Sequence, residues 1–204
     1  MDRIVTMHET WVYFYDPLFK KAARAWKHHD SPRVMESSER SRHKIMMVTF
    51  FDRNGPLLNT FLDKNQTMTS ELFTKIISRN LMKHLKEKRP NLFTDDGQNK
   101  MILHMDNARP HTAHLTRLKL QMLGIETLPH APYSPDISPC DFWLFKIVKN
   151  SMKGCVWSSD NELIAGARSA VNSISRSDYS ACYDSWIKRW RSVIQAEGSY
   201  FDHK

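Results

Sequence analysis

Leu103-His104-Met105-Asp106-Asn107-Ala108-Arg109-Pro110-His111-Thr112-Ala113 runs from a short apolar segment into a turn and then a polar stretch. A second segment, Pro132-Tyr133-Ser134-Pro135-Asp136-Ile137-Ser138-Pro139-Cys140-Asp141-Phe142, is rich in turn-forming residues and also ends near an aspartate. Asp106 and Asp141 therefore stand in similar surroundings. Hard divalent cations need carboxylates that converge from distant parts of a chain, and phosphoryl transfer commonly uses two such ions. A third carboxylate should complete such a set.

The secondary structure around this pair can be read outward. Met101–Met105 predicts a short strand, with Asp106 at its C-terminal end, where open α/β sheets place their ligands. A helix is expected over Thr112–Leu123, closed by Gly124, followed by a strand at Ile125–Leu128. Asp141 falls in the first turn of a helix that starts near Pro139, where proline is tolerated and a carboxylate gains from the helix dipole. Upstream, Ile4–Tyr15 is rich in β-branched and aromatic residues and predicts one or two strands, stopped by Asp16-Pro17. Lys44–Phe51 and Leu57–Leu62 flank an Asn54-Gly55 turn, the signature of a hairpin. Thr69 then opens an amphipathic helix to about Lys88, and helices over Asn161–Ile174 and Asp178–Glu197 finish the chain. The fold class is α/β, a mixed sheet with helices on both faces.

Composition agrees with one folded domain over 1–204. The chain has 204 residues, 41% of them hydrophobic, and a formal charge of +8, which favours a polyanionic partner such as nucleic acid. Its three cysteines have no metal-ligand spacing, and no run of ~18 apolar residues that would span a membrane occurs. These features predict a soluble intracellular protein. A long basic insertion separates the first two strands: Lys20, Lys21, Arg24, Lys27, Arg33, Arg40, Arg42 and Lys44 face only Asp30, Glu36 and Glu39. It reads either as a solvated surface loop or as a phosphate-gripping arm with Trp26 as an anchor.

Other features read more simply as structure. His104 is expected to be a packed or hydrogen-bonded histidine, and so is His111. Asp136 belongs to a turn, and Asn107 either orients a ligand or caps the local turn, with the turn preferred. Trp143, Leu144 and Phe145 read as core, as do Trp186, Ile187, Trp190 and Ile194 at helical spacing.

Several motifs occur in a fixed order: Thr10-Trp11-Val12-Tyr13 with Tyr15-Asp16-Pro17, Asp106-Asn107-Ala108-Arg109-Pro110-His111-Thr112-Ala113, Pro132-Tyr133-Ser134-Pro135-Asp136, Pro139-Cys140-Asp141-Phe142 and Gly198-Ser199-Tyr200-Phe201-Asp202. Together they resemble the catalytic domain of mariner-type transposases of the Tc1/mariner group, over nearly the whole chain. The resemblance implies a ribonuclease-H-like fold and Mg²⁺- or Mn²⁺-dependent, two-metal DNA cleavage followed by strand transfer. It also implies transposon-end DNA as partner, a homodimer, no membrane association and action in the nucleus. By the same resemblance Asp106 and Asp141 are the second and third metal ligands, and the 20–44 insertion is the clamp loop that grips DNA and reaches the other subunit.

The chain departs from that pattern twice. His8 stands where the family has its first catalytic aspartate, in Thr6-Met7-His8-Glu9-Thr10-Trp11. Neutral imidazole carries no charge and offers one lone pair, so it cannot bridge two hard cations. Glu9 is adjacent, yet strand alternation points it to the opposite face, so its recruitment is expected to need a one-residue slip. Asp2 and Asp16 are expected to be too distant. Second, Met1 begins just before the catalytic strand, so the family's N-terminal helix-turn-helix modules are expected to be absent. The expected function is an impaired transposase catalytic domain, with a non-catalytic DNA-binding or dimerising module and a decayed gene copy as alternatives.

Overall fold

The computed structural model describes residues 1–17, 39–64 and 66–197. Five strands form one sheet in the order β3-β2-β1-β4-β5. The central strand β1 (Ile4–Tyr13) is a single ten-residue strand. β2 (Lys44–Asp52) runs antiparallel to it, and β3 (Gly55–Phe61) runs antiparallel to β2. The other side is parallel: β4 (Ile102–His104) pairs with β1, and β5 (Glu126–Leu128) pairs with β4. The β2–β3 hairpin turns at Asn54-Gly55, where Gly55 has φ +120°, a conformation that suits glycine. This is the mixed sheet that the sequence predicts.

Strand alternation feeds two cores. Val5 and Met7 of β1, with Val48, Phe50 and Leu103, pack under α1 (Ser70–Lys75), α2 (Met82–Lys88) and α4 (His114–Met122). Ile4 and Val12, with Ile45, Met47 and Phe51, pack under α5 (Phe145–Met152), α6 (Asp160–Asn172) and α7 (Arg176–Gln195). A π-helical stretch (Ile76–Leu81) joins α1 to α2, and the Thr69 side chain caps α1 through the Leu72 amide.

Two local expectations need correction, and a third gains detail. The helix expected from Thr112 starts earlier, as the single turn α3 (Arg109–Thr112), and restarts at α4 after Ala113 adopts an extended conformation (ψ 147°). The helix expected near Pro139 does begin there, as a π-helical segment (Cys140–Leu144) that leads into α5. Ile194 is 74% exposed rather than core, because it lies in the last turn of α7, whereas Trp186 is only 1% exposed.

α7 reaches the loop that carries Asp141. Trp186 Nε1 donates to the Ile137 carbonyl at 2.7 Å, and Arg189 Nη1 donates to the Asp136 carbonyl at 3.0 Å. The Arg189 guanidinium lies 4.1 Å from the centre of the Phe142 ring. Two hydrogen bonds and a cation–π contact thus pin the turn before Asp141 to the helix beneath it. Asp136 belongs to that turn, as expected.

Candidate active site

β1 is longer than its parallel partner: β4 pairs only with Ile4, Val5 and Thr6. Beyond that point one edge of β1 is open, and the chain leaving β4 crosses it. Asp106 arrives there, two residues past the end of β4. The π-helical segment brings Asp141 to the same place, with its amide bonded to the Ser138 carbonyl at 3.0 Å. π-Bulges within helices occur often at functional sites. His8, Asp106 and Asp141 line one cavity of about 480 Å³ with Arg109, His130 and Tyr133. The two aspartates and His8 therefore converge.

Their geometry sets one imidazole between two carboxylates. His8 Nδ1 lies 4.0 Å from Asp106 Oδ2, and His8 Nε2 lies 3.6 Å from Asp141 Oδ2. Each ring nitrogen faces a different carboxylate, so the imidazole is a wedge between the two. A single ion cannot use both nitrogens of one ring, and the ring fills the space between the carboxylates. Among the described residues no set of three or more carboxylate, imidazole or thiolate groups converges as a metal site. The donor set as arranged does not fit a pair of hard cations.

A second histidine organises the carboxylates from below. His111 comes from α3, and its side chain is fully buried. Its Nδ1 bonds Asp106 Oδ1 at 2.6 Å and its Nε2 bonds Glu9 Oε1 at 2.9 Å. Burial works against charge on this ring, but hydrogen bonds to both carboxylates and their charges raise its pKa to about 9. Burial would also raise Asp106, yet the His111 bond, the Ala108 amide at 3.0 Å and the cationic ring hold it down at about 2. Asp106 Oδ1 is thus committed inside the protein, which leaves Oδ2 for the cavity. The expectation that His111 is a hydrogen-bonded structural histidine holds, and the structure adds its two carboxylate partners.

Glu9 corrects one expectation. Its Oε2 lies 3.6 Å from His8 Nδ1 while Oε1 holds His111, with no slip of the strand. Alternation still places Glu9 on the opposite side of β1 from His8. Its carboxylate touches the His8 and His111 rings from that side and is not part of the lining of the cavity shared by Asp106 and Asp141. Asp16 is no rescue: it binds Arg40 Nε at 3.0 Å. Asn107 does not cap a local turn either; its Nδ2 donates to the His130 carbonyl at 2.8 Å, and Asp106 itself forms the local turn through the Ala108 amide.

His104 is buried, as expected. Its Nδ1 lies 2.9 Å from Thr6 Oγ1, its Nε2 lies 3.0 Å from His130 Nδ1, and its ring packs edge-on to Trp186. Burial pushes its pKa down to about 3, so the ring is neutral. His130 also lines the cavity and was not singled out in the sequence. The signal lay in its position, two residues past the last strand and within a turn-rich loop, where ligand-contacting residues concentrate.

Of the basic residues, Lys20, Lys21, Arg24, Lys27 and Arg33 lie outside the described residues, together with Trp26 and the Gly198–Asp202 motif. Arg40 binds Asp16 and stacks on Tyr13, Lys44 sits 4.3 Å over Trp11, and Arg42 is exposed. The return limb of the insertion is thereby fastened to the end of β1.

The strand order, the helices on both faces and a carboxylate pair beyond the C-terminal end of β4 define a ribonuclease-H-like domain of the nucleic-acid phosphoryl-transfer class. A DDE superfamily endonuclease family model matches residues 18–164. The chain belongs to that family, as a mariner-type transposase catalytic domain. The Mariner Mos1 transposase of Drosophila mauritiana is 33% identical over 148 residues, which is 71% of this chain and 41% of the relative. The human histone-lysine N-methyltransferase SETMAR is 32% identical over 202 residues, 99% of this chain and 29% of that protein. The chain thus spans less than half the length of either relative. The structure of the Mos1 mariner paired-end complex with Mn superposes with TM-score 0.86 at 27% identity, covering 98% of this chain and 57% of that one. The Mos1 catalytic domain alone gives 0.79 at 25% identity, covering 98% and 85%. Among the described residues no helix is long and apolar enough to cross a membrane.

Proposed function

We propose that this chain is a transposase catalytic domain that engages transposon-end DNA as a homodimer in the nucleus, and whose ancestral DNA cleavage and strand transfer are impaired. One observation carries the reading: Asp106 and Asp141 share a cavity, and His8 stands between them at 4.0 and 3.6 Å. The two carboxylates support the chemistry of the class, and the intervening ring supports its impairment. With Oδ1 of Asp106 engaged by His111, that aspartate keeps one oxygen for Mg²⁺ or Mn²⁺, and His8 adds no negative charge. The neighbours described as complexes with transposon ends or with Mn support DNA and divalent ions as partners. The basic 20–44 segment adds a surplus of positive charge suited to phosphates, with Lys20, Lys21, Arg24, Lys27, Arg33, Arg42 and Lys44 as its contacts and Arg40 as its anchor.

A second reading, a DNA-binding module without cleavage, is favoured by the same wedge, because binding through a basic surface does not need the metal site. Nicking of supercoiled DNA in Mg²⁺ or Mn²⁺ separates the two. The unmodified chain is expected to nick weakly, and His8→Asp to raise the rate at least about tenfold, or about 1.4 kcal/mol of barrier. Robust nicking by the unmodified chain that Asp106→Ala abolishes would overturn the impaired reading. No gain in His8→Asp, with DNA binding intact, would favour the binding module.

A further inference from the structure

His130 carries an inference that builds on the DNA-binding reading just given. Its Nδ1 is 3.0 Å from His104 Nε2, and the other His104 nitrogen is 2.9 Å from Thr6 Oγ1. A hydrogen bond between two imidazoles requires one ring to donate and the other to present a lone pair. Proton positions along the Thr6–His104–His130 chain are therefore linked, and fixing one fixes all. The remaining nitrogen, His130 Nε2, has no protein partner among the described residues. It is also absent from their buried unpartnered atoms, so it is solvent-accessible, on a residue that lines the cavity. The backbone of His130 is tied to Asn107, beside Asp106, by a 2.8 Å bond.

Two protonation patterns satisfy the chain. In one, Thr6 donates to His104, His104 donates to His130 Nδ1, and His130 carries its proton on Nε2. In the other every bond reverses, and a bare lone pair faces the cavity. Burial and His8 weigh against positive charge on His130, while the carboxylates of Asp106 and Asp141, which line that same cavity, favour a proton there. A lone pair facing negative charge is disfavoured and an N–H is favoured. The field therefore selects the first pattern. We propose that His130 is a ligand-contacting residue whose Nε2–H, oriented by His104, donates to a non-bridging phosphate oxygen of a DNA strand lying in the cavity. The carboxylates repel a phosphate. His130 supplies a neutral donor in the same cavity, a role that neither aspartate can fill.

The test uses the full chain and a fluorescein-labelled DNA duplex carrying a nick, with affinity read by anisotropy. His130→Ala is expected to weaken binding about tenfold, the loss of one hydrogen bond to a charged group. His130→Gln, which keeps an N–H donor near the same point, should stay within about threefold of the unmodified chain. Long-range ¹H–¹⁵N spectra should show His130 protonated at Nε2 in the free protein, with that nitrogen shifting when DNA is added. His104→Phe should release the tautomer and give an affinity between those of the unmodified chain and His130→Ala. Equal binding by His130→Ala and the unmodified chain, or a proton on Nδ1 of His130, would overturn this inference and leave the proposed function standing. If the unmodified chain fails to bind the duplex, both fail. Equal weakening by the Ala and Gln variants would show a packing role only and also overturn the inference.

Discussion

Replacing His111 with glutamine removes the cation that lies between Glu9 and Asp106. The ring is fully buried and bonds both carboxylates, at 2.9 and 2.6 Å, and its pKa is raised from 6.5 to about 9. A shift of that size corresponds to about 3 kcal/mol of folding stability. The depressed pKa of Asp106 is the same ion pair seen from its other end, so it is not added. The sign follows from linkage. Below pH about 6.5 the ring is charged in both folded and unfolded chains, and the contribution is complete. Between about 6.5 and 9 the unfolded ring loses its proton while the folded ring keeps it, and the contribution falls away. Urea denaturation should therefore find His111→Gln less stable by about 3 kcal/mol at pH 6, with a deficit that shrinks markedly by pH 9.5. Adding Glu9→Gln removes one of the two carboxylates left uncompensated, so the double variant should lose less than the sum of the singles. A deficit of equal size at both pH values would refute the argument and assign the loss to packing against Phe73 instead.

Two further perturbations test other parts of the structure. Gly166→Ala places a methyl group against the indole of Trp157, so α6 or Trp157 must move; thermal denaturation should show a loss of about 1–3 kcal/mol, and an unchanged midpoint would mean the indole moves freely. Neutralising Lys20, Lys21, Arg24 and Lys27 together should weaken DNA binding and lower the slope of log affinity against log salt by roughly 3 to 4, and an unchanged slope would remove the segment from the DNA interface.

Much of the fold was legible because its signals are local. The β-branched and aromatic residues of β1, the Asn54-Gly55 turn, the Thr69 cap and the apolar spacing after it each act within a few residues, and the structure contains the corresponding elements. The errors fall where local rules compete with distant contacts. Ile194 has helical spacing with Trp186, but the end of α7 extends past the core, so spacing alone assigned it wrongly. Alternation set Glu9 on the far side of β1, yet its carboxylate touches the His8 and His111 rings from that side. A partner as distant in sequence as His111 has no signature at Glu9 itself.

The sequence by itself determined that two aspartates stand in turn-rich segments, and its resemblance to mariner-type transposases led to the expectation of a third carboxylate where His8 stands. It also determined which cation chemistry that histidine disfavours, since charge and donor number are properties of the side chain. Only the tertiary structure decided that the His8 ring stands between the carboxylates, with a different nitrogen toward each. It alone decided that His111 holds Asp106 and Glu9 together and that His104 reaches His130 across the sheet end. Those pairings join residues from different elements. Their geometry is set by strand lengths, the turn of α3 and the π-helical segment together, and no single stretch of the chain encodes it.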